Sequence, residues 1–336
     1  MNKKNTSLES SHVPVMLNEV LKICSPLHEK NFIDCTFGGG GYSKELLKAV
    51  KTEVHAIDRD KKSLSIAKEL KKQYPNKFKY YHLKFSQLNN ILKDYVDVVI
   101  FDLGLSSIQL NDLERGFSFK SKKKLNMTMG LNEISALDAV NNLSETDLKL
   151  VIKILGEERE ASVIAKNIVK YRTNKIINNT SDLVEIIHKS KKKDYSNKIN
   201  PCTKTFQALR IFVNKETTEL IEGIISATKR LKPGGKILVI SFHSLEDRIV
   251  KFFFSNFSKN KSRSSRYLPE NKSSQKTLFK EYRNKVLRPT KKEVEINKRS
   301  RSAKLRFAIR SNDKFQYPEE LIKKFKKYLD LEAIDV

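Results

Sequence analysis

The stretch DCTFGGGGYS (residues 34–43) places four consecutive glycines between a short apolar run and a segment with the pattern of a helix. A strand, a glycine-rich turn and a helix form the unit with which doubly wound α/β domains bind ligands at the carboxyl edge of the sheet. Glycine has no Cβ, so a ligand can approach the backbone closely at such a turn. The stretch therefore predicts a ligand-binding loop.

Strand-like apolar runs alternate with amphipathic helical stretches in the first third of the chain and resume near its end. This alternation predicts a parallel sheet with helices on both faces, and the polar–apolar alternation of the last run favours an antiparallel strand. The predicted strands are residues 32–37, 54–58, 77–83, 96–105, 236–243 and 303–310, and the first predicted helices lie near 42–50 and 61–73.

The middle of the chain has helical periodicity without a strand pattern, and Ser144 and Asp147 stand at capping-box spacing before one of its helices. We expect a small all-helical substrate-recognition domain inserted into the sheet domain. The predicted organisation is a disordered tail (1–11), a discontinuous sheet domain (12–111 and 215–310), the helical insertion (112–214) and a C-terminal helical tail (311–336).

Composition restricts the class of protein. The 336 residues are 39% hydrophobic, which indicates a globular chain, and no apolar run reaches the roughly 18–20 residues of a membrane span. The first residues lack the apolar core of a secretory signal. The three cysteines form no CxxC motif, which indicates a reducing, cytoplasmic protein without a structural metal.

The formal net charge of the chain is +27. AT-biased coding would also enrich lysine, but residues 251–310 alone hold 19 Lys or Arg against 4 acidic residues, with aromatic residues between them. Such a stretch can neutralise phosphates, which usually dominates non-specific affinity for nucleic acids. Nucleic-acid contact and a simply solvated basic face are the two interpretations of this charge.

Three ligands compete for the glycine loop. A Walker P-loop needs a Lys directly after its last glycine, whereas Lys44 lies three residues past Gly41. A dinucleotide site needs a third glycine where Ser43 stands. S-adenosylmethionine (SAM) needs close backbone approach and an acid for its ribose hydroxyls. Asp58, at the end of the second strand, can supply that acid, and Asp34 is expected to face the ammonium group of the ligand.

Further polar residues lie where two later strands end. Asp102 ends the fourth predicted strand, and Ser241, His243 and Ser244 follow the fifth. Because ligands bind at the carboxyl ends of parallel strands, these side chains are expected to face the same crevice as the glycine loop. A lone histidine is more often structural than functional, so both interpretations of His243 remain open at this point.

Seven motifs, in this order, resemble the bacterial ribosomal RNA small subunit methyltransferase H family, formerly called MraW. They are HVPVMLNEV, DCTFGGGGYS, AIDRD, FDLGLSSIQLN, ERGFSF, TKTFQALRIFVNKE and SFHSLEDRIVK, and the resemblance extends from about residue 12 to 310. It implies a class I SAM-dependent methyltransferase fold, Rossmann-like with a helical insertion. It also implies that SAM is the methyl donor and that the target is the exocyclic N4 of one decoding-region cytosine in 16S rRNA of the small ribosomal subunit.

The resemblance and the position of polar residues give candidate roles, with no metal required and a homodimer left open. Matching the motifs implies SAM contacts at Gly40, Gly41, Tyr42, Asp58, Phe85, Asp102 and Gln109. The strand-edge argument makes Asp102, Ser241, His243 and Glu246 the catalytic candidates. The basic segments make Lys204, Arg210, Arg263, Arg266 and Arg283 the candidate RNA contacts.

Some positions depart from the family pattern. In the segment LNMTM, Asn126 stands where the family has an acid and Thr128 where it has a base. Losing both charges together can be compensated, since an ion pair lost as a unit leaves no orphan charge. Alternatively, the segment touches the substrate and the enzyme is altered. Two rival functions follow, a non-catalytic RNA-binding relic and an NAD-dependent oxidoreductase. Only the resemblance argues against DNA as the substrate.

Overall fold

The computed structural model describes residues 14–91, 93–191, 200–259, 277–280, 282 and 284–336. Within these residues, six strands form one sheet with a helical layer on each face. The predicted tail, residues 1–11, lies outside the described residues. The strands are β1 (Asn31–Asp34), β2 (Glu53–Asp58), β3 (Phe78–His82), β4 (Val96–Asp102), β5 (Leu231–Ser241) and β6 (Lys304–Ile309).

The strand order is β3-β2-β1-β4-β5-β6. Neighbouring strands are parallel except for β5 and β6, which are antiparallel. This arrangement confirms the predicted doubly wound α/β class and the antiparallel last strand. The order reverses between β1 and β4, so the loops after these two strands diverge and open a crevice at the carboxyl edge.

Strand β4 is covered on both faces of the sheet. Val98 and Ile100 belong to the apolar core on one face, whereas Val99 and Phe101 belong to the core on the other face. All four side chains are buried. A strand covered on both faces needs apolar residues at successive positions, which explains the nearly continuous apolar run in the sequence.

Helices of two groups cover the sheet. The helices before β3 pack on one face, and the insertion, the two helices on either side of β5 and the C-terminal helix pack on the other. In the described chain the α-helices are α1 (Leu17–Cys24), α2 (Gly41–Leu47), α3 (Ser63–Gln73), α4 (Ser107–Asn111), α5 (Ala136–Asn142), α6 (Glu145–Leu155), α7 (Ala161–Asn174), α8 (Thr180–Ser190), α9 (Thr203–Asn214), α10 (Glu216–Arg230), α11 (Ser244–Asn256), α12 (Lys291–Ile296) and α13 (Glu319–Glu332).

The middle segment forms helices, as its periodicity predicted. Helix α6 begins where the capping signal indicated, because the Ser144 hydroxyl accepts the Asp147 backbone N–H at 3.1 Å. Buried residues of these helices, among them Ile164 and Leu209, belong to the same apolar core as Phe101 of the sheet. The helical segment is therefore packed against the sheet, and its division into a separate domain remains a prediction.

Several strand boundaries differ from the prediction, among them the end of β1 and the start of β5. Strand β1 ends at Asp34 rather than at residue 37, because the chain turns into the glycine loop. Strand β5 begins at Leu231, directly after α10, rather than at the predicted residue 236. Leu231 already pairs with Val96, and the register then shifts around the Pro-Gly-Gly segment before regular pairing resumes at Lys236.

Other expectations concern the membrane and the cysteines. In the part of the chain that the structure describes, no helix has both the length and the apolar character needed to span a bilayer. The cysteines Cys24, Cys35 and Cys202 are buried free thiols.

A glycine contact makes the fold sensitive to one substitution. Gly130 has φ +103°, and a Cβ there would lie 2.2 Å from the Arg59 carbonyl oxygen, just after β2. We expect Gly130→Ala to lower the free energy of unfolding by about 2 kcal/mol or more, because backbone cannot give way as a flexible side chain can. Urea unfolding measures this loss. Gly39→Ala is the control, since its Cβ would meet no atom within 4 Å, and an equal loss in both variants would contradict the prediction.

Candidate active site

A cleft of about 920 Å³ opens at the carboxyl edge of the sheet. Gly41, Asp58, Asp102 and His243 line it, each from the segment that ends or follows a different strand of the parallel sheet. The structure therefore brings together residues that the sequence placed at four separate strand ends.

The glycine loop forms one wall of the cleft. Gly38, with φ +50°, donates its backbone N–H to the Asp58 carboxylate at 2.7 Å, and this bond joins the ends of β1 and β2. Gly38, Gly39 and Gly41 line the cleft. Gly40 does not, although the sequence predicted it as a cofactor contact. Its N–H donates to the Phe37 carbonyl, and a Cβ there would lie 2.8 Å from the Phe37 ring, so Gly40 shapes the turn, and its predicted cofactor contact stays a prediction.

The position of Asp34 differs from the expectation that it faces the ligand. Its side chain is fully buried and accepts hydrogen bonds from the Thr36 backbone N–H at 3.2 Å and from the Ser43 hydroxyl at 2.7 Å. Burial raises the pKa of Asp34 to about 6. The prediction that Asp34 faces a ligand's ammonium group is therefore wrong, because the carboxylate points into the loop and ties its two ends together.

Asp58 and Phe85 lie on the cleft wall as predicted. One Asp58 oxygen accepts the Gly38 N–H and the other accepts the Asp60 N–H at 2.8 Å, and a carboxylate with two such bonds can still accept more. The Phe85 ring packs edge-to-face on Phe101, with centroids 5.4 Å apart. It also presses on Gly223 of α10, where a Cβ would lie 2.5 Å from the ring.

Gln109 lines the cleft, but internal hydrogen bonds engage both ends of its amide. Its Nε2 donates to Asp60 at 2.9 Å, and its Oε1 accepts the Ser106 backbone N–H at 3.0 Å. Arg115 also donates to Asp60, at 2.5 Å. Gln109 therefore fixes the loop after β4 against the loop after β2, and its predicted contact with SAM stays a prediction.

Asp102 carries the most distinctive polar atom of the cleft. Its Oδ1 is buried and has no hydrogen-bond partner among the described residues. Burial raises the pKa of Asp102 well above its usual range, and the charges of Asp34 and Glu246 raise it further, while the Tyr42 hydroxyl opposes them. Tyr42 itself is buried and donates to the Val15 carbonyl. A positive charge close to Asp102 would lower this pKa.

The opposite end of the cleft is a connected polar cluster. Arg210 of α9 donates two hydrogen bonds to Glu216 of α10, at 2.8 and 2.9 Å. His243 Nε2 lies 3.1 Å from Glu246 Oε1, and the other Glu246 oxygen accepts the Phe242 N–H at 2.8 Å. Burial by itself would raise the pKa of Glu246, but His243 and Arg210 more than offset this and hold it below its usual value.

Three groups of this cluster also have the spacing of a metal site. The donor atoms of Glu216, His243 and Glu246 lie within 4.8 Å of one another. However, the Arg210 guanidinium already occupies both Glu216 oxygens and balances that charge. This arrangement fits a polar pocket with paired donors and acceptors. The expectation that no metal is needed stays a prediction.

Among the remaining predicted residues, Ser241 and Lys204 do not line the cleft. Ser241, a predicted catalytic residue, is buried in β5, and its hydroxyl donates to the Lys304 carbonyl at 3.4 Å. Lys204 donates to the Glu157 carbonyl at 3.0 Å and does not line the cleft. Arg210 lines the cleft, where two of its nitrogens pair with Glu216, and its contact with RNA stays a prediction. The remaining predicted RNA contacts, Arg263, Arg266 and Arg283, lie outside the described residues.

Sequence reasoning missed a basic rim at the mouth of the cleft. Lys298 and Arg301 are exposed there and have no carboxylate partner among the described residues. Arg299 spans the mouth and donates to Ser107 at 2.5 Å and to Asn111 at 3.0 Å. These residues fall inside the basic stretch 251–310, so their charge was visible in the sequence but their position was not. Other lining residues that the sequence did not single out are Gln207, Glu216, Glu219 and Phe242.

The two family departures in LNMTM form a local pair. Asn126 Oδ1 accepts hydrogen bonds from both the backbone N–H and the hydroxyl of Thr128. Neither side chain lines the cleft. The structure therefore favours compensation over direct contact with the substrate.

Comparison with known proteins gives a consistent result. The family model described as the MraW methylase family matches residues 9–311. Ribosomal RNA small subunit methyltransferase H of Ehrlichia canis (strain Jake) is 42% identical over 304 residues, which cover 89% of this chain and 99% of that relative. The protein of the same name from Bartonella tribocorum is 44% identical over 301 residues and 90% of each chain.

Among solved structures, an rRNA methylase from Streptococcus thermophilus is 10% identical and has a TM-score of 0.37, with 84% of this chain and 87% of that chain covered. A similarity at this level carries no argument about the site. The family match extends over most of the chain, and the sheet has the doubly wound topology of class I methyltransferases. The chain therefore belongs to the MraW methylase family.

Proposed function

We propose that this protein transfers the methyl group of SAM to the exocyclic N4 of a decoding-region cytosine in 16S rRNA of the small ribosomal subunit. Its relatives are named as methyltransferases of small subunit ribosomal RNA. The observation that carries the proposal is Asp102 Oδ1, a buried acceptor without a partner on a cleft that also has a glycine-lined wall and a polar end.

The residues of the cleft fit SAM. Gly38, Gly39 and Gly41 offer bare backbone along one wall, Asp58 can accept from ribose hydroxyls, and the Phe85 ring offers a flat surface for adenine. SAM supplies an activated methyl group on a sulfonium. Asp102, as a carboxylate, would lie where that positive charge has to be balanced.

The cytosine N4 is a poor nucleophile, because its lone pair is delocalised into the ring. The protein therefore has to align N4 with the methyl group, and alignment alone contributes on the order of 7–11 kcal/mol in well-oriented reactions. Asp102 Oδ1 accepts a hydrogen bond from the N4 amino group, stabilises the positive charge that develops on N4 during transfer, and takes up the proton that N4 releases. This role requires the ionised carboxylate.

The polar cluster forms the pocket for the base. A cytosine edge presents one donor group, N4, and two acceptors, N3 and O2. Arg210 binds Glu216 through Nε and Nη2, so its Nη1 can donate to an acceptor of the base. Glu246 and His243 complete the polar wall. Extruding a base into such a pocket costs a few kcal/mol.

The basic rim binds the RNA backbone next to the extruded base. Lys298 and Arg301 carry exposed, unpaired charge at the mouth, and Lys44 lies exposed at the glycine loop. By contrast, Lys62 nearby is neutralised by Asp112 at 2.5 Å. Free cations at the entrance to a methyl-transfer cleft fit phosphates of the substrate strand.

Transfer to the ribosomal subunit tests the proposal directly. Small ribosomal subunits lacking the modification are incubated with tritiated SAM, and the rRNA is digested for nucleoside mass spectrometry. Wild-type protein is expected to produce N4-methylcytidine, and Asp102→Asn is expected to lower kcat at least about 100-fold because it removes the charge that stabilises N4. Asp94→Asn, an exposed substitution, serves as control. No transfer by the wild-type protein would contradict the proposal and favour a non-catalytic relic.

The raised pKa of Asp102 predicts proton release when SAM binds. The carboxyl group is protonated at pH values where a free carboxyl is ionised, and the sulfonium favours the ionised form, so binding expels a proton. SAM affinity is therefore expected to rise with pH above the usual carboxyl range. Calorimetric titration in two buffers of different ionisation enthalpy measures the release. Asp102→Asn should abolish it, and equal heats in both buffers for the wild-type protein would refute it.

Charge removal at the rim predicts a specific loss of RNA affinity. The double variant Lys298→Ala with Arg301→Ala is expected to raise KM for ribosomal subunits about tenfold and to flatten the salt dependence of binding by about one to two units of slope. The SAM affinity should remain unchanged. The control is Lys68→Ala with Lys72→Ala, which removes two exposed lysines of α3 outside the cleft. Equal effects of the two double variants would contradict a localised RNA contact.

A further inference from the structure

The C-terminal helix α13 lies beyond the segment that the family model matches, which ends at residue 311. Even so, Leu321 and Phe325 are buried in the core that joins the sheet to the insertion. Glu332, at the end of the helix, has a relative exposure of only 1%. A carboxylate this deeply buried needs a structural explanation.

Glu332 binds the start of α10. One of its oxygens accepts the Thr217 backbone N–H at 2.8 Å, and the other accepts the Thr218 backbone N–H at 2.8 Å and the Thr218 hydroxyl at 2.7 Å. The first N–H groups of a helix have no partner within the helix. Lys215, the N-cap residue, makes no side-chain cap and has φ 49°. Glu332 therefore supplies the cap that the local sequence lacks, from 115 residues away.

The capped turn faces the cleft. Helix α10 presents Glu216, Glu219 and Leu220 there. Glu216 holds Arg210 through two hydrogen bonds, and Glu219 accepts the backbone N–H of Ser86 at 3.4 Å, directly beside Phe85. The position of this one turn therefore affects both the polar end of the cleft and the aromatic wall.

We propose that Glu332 is a positioning residue for methyl transfer: by capping α10 it holds Glu216, and through it Arg210, in the geometry that receives the base. This inference rests on the proposed function for its kinetic consequence and on the observed hydrogen bonds for its structural one. The C-terminal helix thus supports the cleft through its contact with α10, although no motif of the family falls within it.

The first measurement follows the cap itself, by hydrogen–deuterium exchange of the peptide that contains Thr217 and Thr218 in the full-length protein. Glu332→Ala is expected to speed exchange of these two amides about tenfold or more, because they lose their acceptor. As a first control, Leu321→Ala removes a buried apolar contact of the same helix but leaves the cap. As a second control, Asp330→Ala removes an exposed carboxylate two residues before Glu332. Both controls should leave this exchange within about twofold of wild type.

The second measurement is kcat for ribosomal subunits, at a temperature where all variants are folded. Glu332→Ala should lower kcat about tenfold, since misplacing a positioning group by an ångström is worth up to about 100-fold, whereas Leu321→Ala should change it less than about twofold. Glu332→Gln keeps the length and one acceptor oxygen, so it should recover part of both losses. If Glu332→Ala and Leu321→Ala had the same exchange rates at these amides and the same kcat, the proposal would be overturned.

The two measurements separate the two proposals. If Glu332→Ala fails to fold, Glu332→Gln decides the question, because wild-type exchange at Thr217 and Thr218 in that variant would overturn the capping role. The exchange result does not depend on methyl transfer. A wild-type protein that methylates no rRNA therefore contradicts the proposed function, while the exchange data still test the cap.

Discussion

Two carboxylates at the ends of neighbouring strands hold the glycine loop, and the site depends on them. Asp34 ties Thr36 to Ser43 across the loop, and Asp58 accepts the Gly38 N–H from the side. A bare-backbone loop has the freedom to adopt many conformations, so its shape has to be imposed by partners outside it. Because both carboxylates belong to strand ends, the loop inherits the rigidity of the sheet.

The same arrangement creates the electrostatics of the cleft. Burial is the largest cause that raises the pKa values of Asp34, Asp58 and Asp102, and neighbouring carboxylates add to it at each of them. Such a group of acids is costly to ionise without a cation, which a sulfonium donor provides. At the polar end, the Arg210 guanidinium balances the charge of Glu216, and His243 lies against Glu246. Under the proposed function, the acids would face the cationic donor and the polar end would face the uncharged acceptor.

Sequence reasoning predicted the sheet well, because its signals are local. Apolar runs, the glycine loop and the alternation in β6 each lie within a few residues, and Asp58, Phe85, Asp102 and His243 follow from strand ends. The features that local patterns do not show have one physical cause. The direction of Asp34, the hydrogen bond of Ser241 and the cap from Glu332 are decided by partners that the fold brings close, and no local pattern encodes them. The domain boundaries and the RNA contacts outside the described residues remain predictions.

A crystal structure of the protein with S-adenosylhomocysteine and cytidine tests the central claim most directly. The account predicts the sulfur beside Asp102, the adenine against Phe85, and the cytidine N4 about 3 Å from Asp102 Oδ1, within hydrogen-bond distance. Adenine on another surface, or a nucleoside bound with N4 away from Asp102, would contradict it.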